Sequence, residues 1–442
     1  MNTVQRFLGQ AVACQACGRE HRVGVREALL IDDACERLPA VAAALGLPRG
    51  AVVIADTRTR AAAGAAVAEA FRRRDGSVTE IVLPDPPGGG GPVCDDHTRR
   101  TLDRAVPAEG LLVAVGSGVV NDLVKWMAVD AGRPYVVVPT AASMNGYTSA
   151  NIAPTLKGVK SLLEGREPVA VVTSTAILRS APAALTAAGL GDVMAKPVSS
   201  ADWRLNHLLF DEFYCPFCAD LIREIEPIYM QAPEAIAQGR TEGLEALYEA
   251  ILLTGFSMTM AGTSSPASGG EHLISHTLDM MASRDGLHHD LHGRQVGLGT
   301  LFCAALYQEV FRTRPGRFRS GETRTEPAFW KGFADAVEEQ HVRKRRRQTQ
   351  AAERLNRESG LWDRLACEAG GLCCPPETVR RVLRQGGAAC RLQDIGVSRE
   401  RFIEAVDHAH ELRERYTILE LARSAGVLPE RTPELVDIWL CA

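Results

Sequence analysis

The chain has 442 residues, 46% of them apolar and 24% charged, with a formal net charge of −4. That length holds two domains with sizeable cores, and the near-neutral balance gives no electrostatic basis for nucleic acid or an anionic membrane as the main partner. No apolar run approaches the roughly 20 residues of a membrane span. Residues 1–10 lack the apolar core of a secretory signal, and twelve scattered cysteines fit reduced thiols in a cytoplasmic setting better than a disulfide framework.

Along the chain, residues 52–55 form a short buried strand ending at Asp56, and 61–73 form an Ala-rich helix. Residues 81–83 are a second strand. Segment 84–92, with four consecutive glycines, reads as a mobile loop. Residues 111–115 are a third strand, running directly into Gly116-Ser117-Gly118, and 135–138 and 169–172 are further β-branched runs. Strands alternating with helices predict an open, mostly parallel α/β sheet. Beyond about residue 182 helical patterns dominate: 187–210, 241–260, 269–281, 296–310, 329–354, 378–384 and 399–415. This predicts an α/β nucleotide-binding domain over 1–183 and an all-helical domain over 184–442. The basic run 343–347 reads as a solvated helix face, because no aromatic interleaving supports nucleic acid.

Gly116-Ser117-Gly118-Val119-Val120-Asn121-Asp122 joins a buried strand to a helix. Glycines there let the backbone approach a pyrophosphate, and the helix N-terminus favours an anion; a plain strand–helix turn would look the same. Asp56 suits an adenosine ribose, and equally suits a helix cap before Thr57. Asp192 follows a glycine-rich turn, and Glu271-His272 and His276 lie on one helix, with the two imidazoles four residues apart. His292 follows sixteen residues later. A carboxylate and two or three imidazoles meeting from separate helices make a divalent-metal site with an open position. Such a metal polarises an alcohol or carbonyl oxygen. His288 and His289 are weaker ligand candidates. Two Cys-x-x-Cys pairs, Cys14/Cys17 (followed by His21) and Cys215/Cys218, invite a zinc-ribbon reading. Their separation of about 200 residues, against the tens of a ribbon, favours unrelated thiols.

The order of motifs resembles the glycerol-1-phosphate dehydrogenase family, within the iron-containing alcohol dehydrogenase and dehydroquinate synthase-like superfamily. The resemblance is carried by Gly116-Ser117-Gly118, Val138-Pro139-Thr140-Ala141-Ala142-Ser143-Met144-Asn145-Gly146-Tyr147-Thr148-Ser149, Gly189-Leu190-Gly191-Asp192 and Ala201-Asp202-Trp203-Arg204-Leu205. It continues through Ser268-Gly269-Gly270-Glu271-His272, Leu291-His292-Gly293 and Arg415-Tyr416-Thr417-Ile418-Leu419. It spans roughly residues 20–425 and is weakest over 315–400.

The resemblance implies a dehydroquinate synthase-like fold and a metal-dependent, NAD(P)-linked polyol-phosphate dehydrogenase that reduces dihydroxyacetone phosphate. Asp192, His272 and His292 would hold one divalent metal, zinc first, with nickel or iron as alternatives. Gly116, Ser117, Gly118 and Asp122 would bind the cofactor pyrophosphate, Thr140 and Ser143 would contact its nicotinamide end, and His276 would line the site. The partner is a small polyol or ketose phosphate, and relatives are homo-oligomers. Lys157 and Lys160 are the nearest cations for a substrate phosphate. One residue departs: Asn145 stands where the family has Asp near the substrate hydroxyls, and an amide orients a hydroxyl without exchanging its proton. Either the metal alone acidifies the alcohol, with water or His276 passing the proton, or the substrate or reaction differs. Two rival readings are a dehydroquinate synthase-like cyclase, which recycles its cofactor within one turnover, and a non-catalytic nucleotide-binding descendant.

Overall fold

Six short apolar runs build one parallel sheet in the computed structural model, which describes all residues except 75, 87, 88, 157, 313, 321–323 and 442. The strands are β1 (Glu27–Leu30), β2 (Ala51–Asp56), β3 (Val78–Leu83), β4 (Leu111–Gly116), β5 (Tyr135–Pro139) and β6 (Ala170–Thr173), in spatial order β1-β6-β5-β4-β2-β3. Every neighbouring pair is parallel; Val113 lies opposite Val53 on one side and Val136 on the other. Strands β4, β5 and β6 are buried at every residue. That is why they read as unbroken apolar runs instead of alternating ones. Val53, Val113, Val115, Val136, Val138 and Val172 form the core with Leu38, Val67 and Phe71 from flanking helices. Each such side chain contributes about 1.5–3 kcal/mol on burial. The predicted α/β sheet is therefore present. Strand β1 (Glu-Ala-Leu-Leu) escapes prediction because its composition carries no strand preference. Of the loop 84–92, residues 87 and 88 lie outside the described residues.

The chain divides into two compact units. The first holds Met1–Gly189 and Asp220–Thr263; the second holds Leu190–Ala219 and Ser264–Ala442. Besides the sheet, the first unit contains α1 (Gly118–Asp130), most of α2 (Ala183–Met194), and α4 (Thr241–Ala261). The second is helical and contains the end of α2, α3 (Lys196–Phe210), α5 (Gly270–Asp285), α6 (His292–Val310) and α7 (Ala334–Arg357). The single helix expected over 187–210 is two, because Pro197 opens α3, where its missing N–H costs nothing. Helix α6 begins at His292, four residues earlier than expected, so that imidazole sits on a helix rather than a loop.

The basic run in α7 is not uniformly solvated, contrary to expectation. Lys344 is fully buried and donates to the carbonyls of His410 (2.8 Å) and Leu412 (2.7 Å) and to Glu420 Oε1 (2.7 Å). Its neighbours Arg343, Arg345 and Arg347 pair with Glu414, Glu338 and Glu212. Among the described residues no helix is long and apolar enough to cross a membrane.

Candidate functional site

In the first unit, β4 ends at Gly116, Ser117 turns the chain, and Gly118 opens α1. A Cβ on Gly116 would lie 2.7 Å from the Val120 Cβ, so only glycine lets the helix start this close to the strand. The first-turn amides of α1 have no partners within the helix and form an anion-binding end. The Thr140 N–H donates to the Gly116 carbonyl (3.1 Å), fixing the end of β5 against the glycine turn. Thr140 and Ser143 are both buried.

The loop after β5 that carries Asn145 is braced within its own unit. The Tyr147 hydroxyl donates to the Ala141 carbonyl (2.7 Å), and Thr148 Oγ1 donates to the Leu252 carbonyl (2.7 Å). Asp122 is engaged structurally: Oδ2 accepts from the Ala153 amide (3.0 Å) and Oδ1 from Asn121 Nδ2 (2.9 Å). Lys125, one turn further along α1, is fully buried and donates to the carbonyls of Gly146 (2.8 Å) and Asn151 (2.9 Å). Burial lowers its pKa against the opposing pull of Asp122. Asp56 acts as a helix cap, its Oδ1 accepting from the amides of Arg58 and Thr59 (2.8 Å each). Lys160 sits in a two-residue hairpin with Thr155–Leu156, and Lys157 lies outside the described residues.

In the second unit the structure brings Asp192, His272 and His292 together, their ligand atoms all within 4.8 Å of one another. Asp192 Oδ1 lies 3.5 Å from His272 Nε2 and 4.0 Å from His292 Nε2. Donors bonded at about 2.0–2.1 Å to one tetrahedral ion stand about 3.3 Å apart, so the three need close only slightly on a cation. Asp192 and His272 are buried, whereas the His292 side chain is 36% exposed, which gives the triangle one open side. Asp192 reaches this position because α2 can touch the start of α6: a Cβ on Gly191 would lie 2.0 Å from the Gly293 carbonyl oxygen.

Each imidazole is oriented from behind. Glu271 Oε1 accepts from His272 Nδ1 (2.8 Å) and from the Gly269 amide (2.6 Å), so Nε2 is the nitrogen turned toward Asp192. His292 Nδ1 contacts Ser275 Oγ (3.3 Å), which donates to Gln295 Oε1 (3.0 Å). Such outer partners fix tautomer and ring orientation. Burial alone would lower the His272 pKa; hydrogen bonding to Asp192 and Glu271 outweighs it and lifts the imidazole to about 9. Asp192 and Glu271 thus place a carboxylate beside each nitrogen of this buried imidazole.

His276, one turn along α5, stacks on His292 with ring centroids 5.5 Å apart and planes 18° from parallel. Together with Asp279 it forms a second triangle that shares His292. His288 and His289 are exposed, and His289 pairs with Asp279 (3.3 Å). Asp202, fully buried on α3, holds the entry to α5. It accepts from the amides of Gly270 (2.7 Å) and Ile418 (2.8 Å) and from the Tyr307 hydroxyl (2.7 Å). Burial, then Glu271, push its pKa up to about 8 against these donors. The supporting groups Glu271, Ser275, Gln295, Asp202 and Lys125 were not among the predicted site residues. Of these, Glu271, directly before a ligand candidate, and Asp202, within the Ala201–Leu205 motif, carry a local signal.

The iron-containing alcohol dehydrogenase family matches residues 30–182. A glycerol-1-phosphate dehydrogenase [NAD(P)+] from Halalkalibacterium halodurans is 30% identical over 91% of this chain and 94% of its own. The protein of the same description from Bacillus licheniformis is 29% identical over 97% and 96%. Among solved structures, glycerol dehydrogenase from Schizosaccharomyces pombe superposes with a TM-score of 0.60 at 15% identity, covering 94% of this chain and 91% of that one, a likeness of fold. The chain thus belongs to the glycerol-1-phosphate dehydrogenase family, among the iron-containing alcohol dehydrogenases.

Proposed function

We propose that the protein is a metal-dependent, NAD(P)-linked oxidoreductase that interconverts a polyol phosphate and its ketone, with glycerol 1-phosphate and dihydroxyacetone phosphate as the pair. The observation that carries this reading is the convergence of Asp192, His272 and His292, in a chain whose relatives are glycerol-1-phosphate dehydrogenases. One carboxylate and two imidazoles suit a divalent cation, zinc in the first place. A metal held by Asp192, His272 and His292 would supply Lewis acidity toward a substrate oxygen, and NAD(P) held at the Gly116–Gly118 turn would supply the hydride chemistry.

The chain's own residues do the rest. Asp192 brings negative charge to a buried site, and Glu271 and the Ser275–Gln295 pair hold the two imidazoles with Nε2 forward. The amides of the Gly116–Gly118 turn take the cofactor pyrophosphate. Asp122 acts there indirectly, by anchoring residues 151–153 beside α1. Asp56 receives the adenosine ribose through Oδ2, its Oδ1 being occupied by the cap. Thr140 and Ser143 meet the nicotinamide end. Asn145 orients a substrate hydroxyl, and His276 carries its proton on a ring nitrogen, because an amide cannot. Lys160 faces the substrate phosphate. Twelve cysteines suit a reducing, cytoplasmic setting, and assembly as a homo-oligomer follows the family.

The test is a cofactor-oxidation assay on protein loaded with zinc, nickel or iron. With dihydroxyacetone phosphate, NAD(P)H should be consumed in proportion to product, whereas a cyclase of the same superfamily shows no net consumption. Metal-loaded protein that reduces no ketose phosphate or small ketone overturns the proposal.

A further inference from the structure

The first unit carries a second cluster of metal-binding side chains. The strands Ala11–Ala13 and Glu20–Arg22 pair antiparallel, and the turn between them holds Cys14-Gln15-Ala16-Cys17-Gly18. The turn closes on itself: the Gly18 amide donates to the Cys14 carbonyl (2.8 Å) and the Cys14 amide to the Arg19 carbonyl (2.9 Å). Gly18 sits at φ +71°, where a side chain would be strained. This loop brings both thiols to the same side. His21 returns on the second strand, opposite Val12, with only 1% of its surface exposed.

The imidazole is already set for a metal. His21 Nδ1 lies 2.8 Å from the Met260 carbonyl, which can only accept, so Nδ1 carries the proton and Nε2 the lone pair. Nε2 lies 3.3 Å from Cys17 Sγ. Ligand atoms of Cys14, Cys17 and His21 all fall within 4.8 Å of one another. A sulfur at about 2.3 Å and a nitrogen at about 2.0 Å from one tetrahedral ion stand about 3.5 Å apart. A thiol–imidazole hydrogen bond accounts for the Cys17–His21 contact, and the Cys14 ligand atom lies within 4.8 Å of both as well.

We propose that Cys14, Cys17 and His21 bind a structural zinc ion, separate from the site at Asp192, His272 and His292. Two strands of three residues are too short to be stable unaided. A metal tying the turn to His21, and through it to Met260 on α4, supplies what the hairpin lacks. The ion takes part in no hydride transfer, so the inference does not depend on the proposed activity.

The test uses the full chain, reduced, loaded with zinc and freed of excess metal. X-ray absorption at the zinc edge should show a sulfur shell near 2.3 Å, which Asp192, His272 and His292 cannot produce. Bound zinc should slow alkylation of Cys14 and Cys17 at least tenfold, as mapped by mass spectrometry, and a chelator should restore the rate. The C14S/C17S variant should lose one zinc per chain and the sulfur shell, with faster amide exchange over residues 11–22. An oxygen-and-nitrogen shell alone, alkylation of these two thiols indifferent to zinc, or a sulfur shell surviving in C14S/C17S would each overturn the proposal. If the variant does not fold, the alkylation measurement on the unaltered chain decides.

Discussion

Replacing Gly191 by alanine probes how closely α2 must approach α6. The added methyl would lie 2.0 Å from the Gly293 carbonyl oxygen, where a real Cβ needs at least 3.0 Å. The two segments must therefore part by about 1 Å, since helix packing leaves little slack for one methylene. Asp192 and His292 are the immediate neighbours of the two clashing residues, and their donor atoms already stand 4.0 Å apart. Opening that gap removes one ligand from bonding range. Metal affinity should fall about 10- to 100-fold, equivalent to about 1.4–2.8 kcal/mol. The metal-free protein should lose about 1–3 kcal/mol of stability to overpacking. Chelator competition reads the first quantity and urea unfolding without metal the second. Gly297→Ala is the control: it lies on the same helix, but its nearest neighbours would be 3.4 Å away, an ordinary contact, so affinity should be kept. Gly191→Ala protein that binds metal as tightly as the unaltered chain would refute the reasoning.

Other consequences can be measured directly. Glu271→Gln weakens the acceptor behind His272 Nδ1 and should lower metal affinity about 10- to 100-fold with the fold intact, as seen by chelator competition and circular dichroism. Lys344→Met leaves the Glu420 carboxylate buried without its cation; unfolding should show a loss of about 3–5 kcal/mol, with metal content unchanged. Burial, then Arg423 and Lys344, hold His410 well below its ordinary pKa, so it stays neutral in the folded chain while the unfolded chain takes up a proton near pH 6.5. Its contribution is thus full above that pH and lost as pH falls, by up to about 1.4 kcal/mol per unit. His410→Leu should flatten the stability profile between pH 5 and 6.5, and an unchanged slope would count against this assignment. Asn145→Asp should change turnover with dihydroxyacetone phosphate less than tenfold if His276 carries the proton; a large gain would move that role to position 145.

The sheet was legible because four of its strands are buried on both faces and so appear as plain valine- and leucine-rich runs. β1 was not, since Ala28, Leu29 and Leu30 suit a helix as well as a strand. Pro197 marks a helix start, yet the apolar pattern runs through it and hides the break between α2 and α3. That Thr241–Ala261 packs with the first unit is invisible to periodicity, because a helix reads alike whichever body it joins. At the site, Asp192, His272 and His292 were named from motif order, and the structure places them within reach of one ion. Their supports were hidden for a physical reason. Gln295 and Asp202 act across helix interfaces, and no spacing rule along the chain connects residue 202 to residues 270, 307 and 418. Lys344 shows the opposite failure: composition assigns a lysine in a basic run to water, and only the packed interior reveals its carboxylate partner.

Asp202 ties three stretches of chain to a single carboxylate: the entry of α5, the last turn of α6 and the start of the helix that Ile418 opens. Assembly of the cation pocket is therefore a late event in the life of the polypeptide. A nascent chain that has not yet reached residue 418 has no Ile418 amide to secure α3, and the entry to α5 stays incompletely tethered. Metal acquisition should accordingly follow the emergence of residue 418 rather than that of the three liganding side chains. A stop just before Ile418 would remove that amide and cost the pocket a tether, although it lies more than a hundred residues beyond His292, the last of the three liganding side chains in the sequence.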